Sequence, residues 1–412
     1  MPTKDRVCTW LAFGLFVSAP AYAQVRTEQE IVELIVTQGS HARAIRAEAE
    51  VTQREQRART VLPNPTVTYA REGAGFTDFL QVEQSLPLFG ARAALARAGV
   101  AASAAADAER DARLWALRSQ ASTLVAQLLA EQERLEAAKS VVREVERLIE
   151  VLHVREREGE GSRFDRLRAE QELADLRRGV VDAMVALGEA RAALAALLPD
   201  GTALAAVRGD LYQERIVLPI QTLVTHAARA RAELRALRLD SERFDREAAA
   251  ARRARLPNPT LVGGLKRADT ESGRDRGSVF AISIPVPLFD SGSRDAQRWQ
   301  AERTRVEAER ASLVQQIQAE VARTAEALRL RQRALVEEQP HPQRGRPESA
   351  PAASELIHIA EVAYREGEVG ILELLDAQRT VWRARSRAID MRLDARRAQI
   401  ALERAIGETL WP

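Results

Sequence analysis

Apolar residues recur every seven positions over long stretches of this chain. Stepping by seven from Leu114 meets Ala121, Leu128, Leu135, Val142 and Ile149. Stepping from Leu117 meets Leu124, Glu131, Ala138, Val145 and Leu152. Eleven of these twelve a and d positions are apolar, Glu131 being the exception. A seam sustained over that many heptads predicts a long helix in a left-handed coiled coil. A second seam pairs Leu173, Val180, Leu187 and Leu194 with Leu176, Ala183, Ala190 and Leu197. A third pairs Leu374, Val381, Ala388, Ala395 and Leu402 with Ala377, Ala384, Met391, Ala398 and Ala405. The predicted helices cover 40–59, 90–158 and 162–198, then a long helix from 290 and a returning one over 371–408. At 1.5 Å per residue, helix 90–158 is about 100 Å long. Placed end to end, 40–59 and 162–198 nearly match it, which predicts a long helix flanked by two shorter ones.

Between the helices the period drops to two. Leu80 and Val82 alternate with Gln81 and Glu83, and Phe280, Ile282 and Ile284 with Ala281 and Ser283. Strands are predicted over about 66–72, 78–86, 260–268 and 277–286. Short amphipathic strands suit either an outer-membrane barrel or a soluble hairpin capping a coiled coil, and the alternation alone leaves both open. Four strands cannot close a barrel, whereas three copies supply twelve. Pro63, Pro65, Pro87 and Pro287 fall at the junctions, where a chain that cannot continue a helix or a central strand is wanted.

The plan is written twice. Leu62-Pro63-Asn64-Pro65-Thr66 recurs as Leu256-Pro257-Asn258-Pro259-Thr260. Leu86-Pro87-Leu88-Phe89 recurs as Val286-Pro287-Leu288-Phe289, and Arg157-Glu158-Gly159-Glu160 as Arg365-Glu366-Gly367-Glu368. Three matches in the same order imply a duplicated unit, with repeats over 24–212 and 213–412. One stretch breaks the pattern: 339–354 carries four prolines and reads as an inserted loop at mid-height.

Composition narrows the choice further. Aromatic residues make up 4% while 46% of the chain is hydrophobic, much of it Ala, which favours long helices over large compact cores. A net charge of +2 gives no global field for nucleic acid. Lys4 and Arg6, the apolar Val7–Ser18 and Ala21-Tyr22-Ala23 read as a signal peptide over 1–23. The single Cys8 lies inside it, so no lipidation cysteine stands at the cleavage site. His41, His153, His226, His341 and His358 are scattered, and no metal-ligand cluster, nucleophile–base pair or nucleotide motif is present. The chain reads as a non-enzyme without cofactor or metal site.

The two LPNPT segments, SLPLFG, PVPLFDSGSRDAQ, REGEGSRFDRLRAEQEL and YREGEVGILELLDAQRT together resemble the TolC-type outer-membrane factor family. REGEGSRFDRLRAEQEL looks most like its CzcC-type heavy-metal efflux branch. The resemblance implies a mainly α fold with a small β part. In it, a long coiled-coil α-barrel joins four strands per chain that contribute to a trimeric 12-stranded barrel. It also implies a homotrimer in outer-membrane lipid of a Gram-negative bacterium, docked on a periplasmic adaptor and an inner-membrane pump of the resistance-nodulation-division type. By matching positions, Asp165, Glu373 and Asp376 are entrance carboxylates and Tyr364 a gate tyrosine. Gly159, Glu160, Gly161, Ser162, Gly367, Glu368, Val369 and Gly370 form adaptor-docking tips. Val369 stands where the family has a gating arginine, which removes that salt bridge. A solvated-face role for Glu373 and Asp376 stays open. So do a type I secretion or multidrug conduit and, less favoured because of the duplication, a periplasmic coiled-coil adaptor.

Overall fold

The computed structural model describes residues 24–73, 77–253, 255–270, 273–287, 289, 292–338 and 349–411. The predicted signal peptide over 1–23 therefore lies outside the described residues. The chain opens with β1 (Gln24–Thr27), α1 (Glu28–Gln38) and α2 (Ser40–Ala58). The hairpin β2 (Thr66–Glu72) and β3 (Thr77–Ser85) follows, then the 68-residue α3 (Ala91–Glu158) and its return α4 (Arg163–Ala195). The second half repeats the plan. After β4 (Leu204–Arg208) come α5 (Ile220–Ala230) and α6 (Ala232–Arg253), then β5 (Thr260–Thr270) and β6 (Gly273–Ser283). Three helices close the chain: α7 (Ser293–Glu338), α8 (Ser349–Arg365) and α9 (Ile371–Ile406).

The four hairpin strands form an antiparallel sheet in the order β2-β3-β5-β6, so the two repeats join through β3 and β5. Leu86 N–H donates to the Pro259 carbonyl at 2.8 Å and extends that junction. Register and pleat place Val67 and Tyr69 of β2, Leu80 and Val82 of β3, Leu261 and Leu265 of β5, and Phe280 and Ile282 of β6 on one face. All are exposed. The opposite face carries Thr68, Gln81, Glu83 and Lys266. The outer strands β2 and β6 each keep one edge unpaired among the described residues.

β6 starts at Gly273 and ends at Ser283, where 277–286 was predicted. The ladder runs into the polar stretch, pairing Asp269 with Arg274 and Thr270 with Gly273. Backbone donors and acceptors pair whatever the side chain. The strand stops early because Pro285 and Pro287 have no N–H to donate. The predicted loop over 339–354 differs from the structure in its last six residues. Residues 349–354 are the first turns of α8, with Pro351 as its third residue, where a missing N–H costs nothing. Residues 339–348 lie outside the described residues.

The core is a string of apolar clusters along the helices, with no single centre. The largest joins α1, α3, α4 and α9 through Ile31, Ile35, Val125, Leu128, Leu194 and Leu393. A second holds α5, α7 and the end of α9 around Leu223, Val321, Leu328 and Leu402. Two smaller ones lie toward the helical tips. Arginine-acid ties run between the helices: Arg392–Glu133 at 2.6 Å, Arg385–Glu144 at 3.4 Å and Arg177–Glu146 at 2.8 Å. The one polar seam residue, Glu131, is buried and bonded by Gln127 and Arg134, and Arg134 also reaches Asp390. Its buried charge is thus paired, as burial requires. In α9 the seam splits: Ala388 is exposed, while Ile389, Leu393 and Ile400 turn into the α1–α3 cluster. A helix packed against both α3 and α7 needs two apolar stripes.

The sequence showed no sign of the short parallel pair β1–β4, which ties the start of the chain to the segment after α4. The Gln132 side chain straps it to α3, accepting from Val207 N–H at 3.0 Å and donating to the Val207 carbonyl at 2.9 Å.

Candidate functional site

The two helical hairpins reverse at one end of the molecule through the same turn built twice. Gly159 and Gly367 take φ of +79° and +78°, a left-handed conformation that glycine adopts without a Cβ penalty. Gly159 N–H bonds the Glu156 carbonyl and Glu160 N–H the Arg155 carbonyl, at 3.2 and 2.9 Å. Gly367 N–H bonds Tyr364 and Glu368 N–H bonds Ala363, at 3.2 and 2.8 Å. This double bond pattern is the Schellman helix stop, so each recurrent R-E-G-E is a complete C-terminal cap. The next helix then starts from a cap residue. Ser162 accepts from Phe164 N–H at 3.2 Å before α4, and Gly370 stands before α9.

Asp165 and Glu373 are each the third residue of the new helix, where the exposed N–H groups favour an anion. Glu373 folds back over its cap. A Cβ at Gly370 would lie 3.0 Å from Glu373 Oε2, so glycine there leaves the carboxylate its space. At Gly161 a Cβ would meet Arg155 Cβ at 2.9 Å and Arg155 backbone at 3.0 Å, which makes the first tip a close crossing.

The fold brings Tyr364 and Asp165 together from different repeats. Tyr364 Oη donates to Asp165 Oδ2 at 2.8 Å. Arg155 lies over the Tyr364 ring, 5.9 Å from its centroid. Burial first, and donation to Asp165 second, push the Tyr364 phenol up to about 12, so it remains a donor throughout the neutral range. Glu373 and Asp376 are exposed on the first turns of α9, and neither touches Tyr364 or Asp165. Asp376 contributes to the negative surroundings that hold the Arg379 guanidinium charged, behind the stronger contact with Glu172. Glu160, Ser162, Glu368 and Gly370 are exposed at the tips, and Val369 is half-buried.

Three contacts here were invisible in the sequence. Arg166 Nε bonds Glu156 at 2.5 Å across the first tip and pulls that carboxylate below its ordinary range. Arg379 grips the buried Glu172 with two bonds, joining α9 to α4. A groove of about 600 Å³ opens beside Tyr364 between α3, α8 and α9, with Arg147, Arg155, Arg365 and Arg385 facing Glu144 and Glu361. Only the duplication hinted that 155–166 and 363–374 meet, since their partners lie about two hundred positions apart.

Residues 223–408 match the outer membrane efflux protein family model. The chain is 27% identical over 365 residues to the cobalt-zinc-cadmium resistance protein CzcC of Cupriavidus metallidurans, covering 84% of this chain and 82% of that one. Over residues 223–408 the chain is similar to the outer membrane efflux protein family. Its fold agrees. It superposes on CusC with a TM-score of 0.71 at 18% identity over 99% of both chains. On a membrane protein from Pseudomonas aeruginosa the TM-score is 0.72 at 20% identity, over 98% and 99%. The open state of the Neisseria gonorrhoeae MtrE outer membrane channel gives 0.69 at 18% identity, over 93% and 89%. The fold is TolC-like, mostly helical with a small sheet part. Among the described residues, no group of three or more His, Cys, Asp or Glu is placed to hold a metal, and no helix is long and apolar enough to cross a membrane.

Proposed function

We propose that three copies of this chain assemble into one passive conduit that carries heavy-metal cations from a periplasmic adaptor and an inner-membrane pump across the outer membrane. The observation that carries the assembly is the four-stranded sheet, with one face apolar and exposed and both edge strands unpaired among the described residues. Unpaired edges invite another strand. β6 of one copy next to β2 of another closes twelve strands, and the apolar face then meets lipid. The helices support the same assembly: Val181, Met184 and Val185 of α4 form an exposed apolar stripe of the kind a neighbouring helix covers.

The cargo follows from the kinship with a cobalt-zinc-cadmium resistance protein. A conduit for cations needs weak, repeated attraction, because tight sites would slow release. Asp165, Glu373 and Asp376 supply it as threefold rings at the tips. Tyr364, held to Asp165, narrows the entrance, and the REGEGS and REGEVG turns are the docking surface for the adaptor.

Gene deletion with complementation tests the cargo. The expected result is hypersensitivity to zinc, cobalt or cadmium without a change toward drugs, restored by the full chain. Drug hypersensitivity with unchanged metal tolerance would reassign the cargo. Fractionation tests the assembly: a heat-modifiable trimer in the outer membrane is expected, and a soluble monomer would overturn it.

A further inference from the structure

The lipid-facing side of the sheet ends, away from the helices, in a row of charge. Register aligns Arg71, Asp78, Arg267 and Arg276 across β2, β3, β5 and β6. They share the face of Tyr69, Leu80 and Leu265, one pleat beyond them. Within the row, Asp78 is already engaged: Tyr69 Oη donates to it at 2.9 Å and Arg71 Nε lies 3.6 Å away. Arg267 and Arg276 are direct cross-strand partners of like charge, an arrangement that costs stability unless something neutralises it. Neither has an acidic side chain within ion-pair distance among the described residues. The next row on the same face differs. There Arg274 is neutralised by Asp269 at 3.1 Å. Lys266 faces the other way and lies over the Phe79 ring.

A membrane protein that leaves two guanidinium groups side by side at the rim of its apolar band presents the fork that binds phosphate with paired hydrogen bonds. We infer that Arg267 and Arg276 form a site for the phosphate groups of an anionic glycolipid of the outer leaflet, with Arg71 at its margin. The occupant is a membrane lipid because the row continues the lipid-facing side, and charge at that depth is held to the headgroup level by the apolar rows behind it. Three copies would girdle the barrel with such sites. The inference rests on the barrel reading proposed above.

The test uses the full chain purified in detergent and incubated with bis-phosphorylated lipid A, the retained lipid being measured by mass spectrometry after gel filtration. Arg267→Gln/Arg276→Gln is expected to lower retention about tenfold or more. Lys266→Gln, which removes one positive charge on the opposite face, is expected to retain lipid as the natural chain does. Dephosphorylated lipid A is expected to bind poorly, and millimolar inorganic phosphate not to compete. Equal retention by the double variant, or equal binding of dephosphorylated lipid, overturns the site. Competition by free phosphate overturns the lipid as occupant. Heat-modifiability in the outer-membrane fraction separates the two readings. A chain absent from that fraction ends both, whereas an inserted barrel with undiminished lipid binding ends only this one.

Discussion

Tyr364 and Asp165 show how a single contact can set the character of a tip. The phenol is partly withdrawn from water, and its one strong partner is a carboxylate in the first turn of α4. Tyr364→Phe keeps the ring and its stacking under Arg155 while removing the donor. The expected cost is about 1 kcal/mol of local stability. In planar-bilayer recordings the expected change is a longer open time, and unaltered gating would remove Tyr364 from the gate. The pH range of the tip follows from two shifts. The raised Tyr364 pKa makes its contribution complete below about pH 10 and lost as pH climbs to about 12. The lowered Glu156 pKa, caused first by Arg166, makes that ion pair complete above the ordinary carboxylate range and lost as pH falls through it. Amide exchange at the tips, corrected for intrinsic rate, should therefore be slow from about pH 5 to 10 and rise on either side. Arg59 and Glu247 make a comparable tie between repeats, with Nη1–Oε1 at 2.5 Å and Glu247 almost fully buried. Arg59→Ala is expected to cost ~2 kcal/mol, read as a lower Tm, because it strands a buried carboxylate while Arg59 itself is partly exposed.

At the scale of the element, the helical hairpins depend on where they stop. The two R-E-G-E turns give each long helix a complete stop, and the acidic residue three places into the next helix helps it restart. Gly367→Ala is expected to lower stability by about 1 kcal/mol, since φ is +78° and no neighbour crowds the added methyl. Gly161→Ala differs in mechanism. It meets the backbone of Arg155, so it should shift the crossing of α3 and α4 and weaken the Glu156–Arg166 tie. Comparing the two variants by exchange at 155–166 separates backbone strain from steric displacement. The strands show the complementary case, in which a polar sequence did not end a strand but two prolines did.

For the whole molecule, the feature that matters is what one copy leaves incomplete. A sheet with open edges, an apolar sheet face and apolar helix stripes without cover all call for a symmetric partner. In the proposed trimer, the exposed Glu373 and Asp376 would act three at a time in a narrow entrance, where their fields add. Neutralising both, as Glu373→Gln/Asp376→Asn, is expected to reduce cation selectivity and weaken block by divalent metals, measured as reversal potential in a metal gradient. Unchanged selectivity would leave them as solvated helix residues.

Much of this was legible in the chain itself, for a physical reason. Heptads, strand alternation, turn glycines and a duplication are local or periodic signals, and long helices and hairpins are fixed by local and periodic forces. The heptads from Leu114 to Leu152 already announced α3, and the recurrent R-E-G-E announced both tips. What the sequence could not contain was which side chains meet, whether 10 positions apart or about two hundred. Tyr364 on Asp165, Arg166 on Glu156, Arg379 on Glu172 and the Gln132 strap on β4 each depend on how helices lie against one another. The strand ends were also decided in three dimensions. A ladder bond forms wherever the opposite backbone offers a partner, and neither residue type nor pattern records that offer.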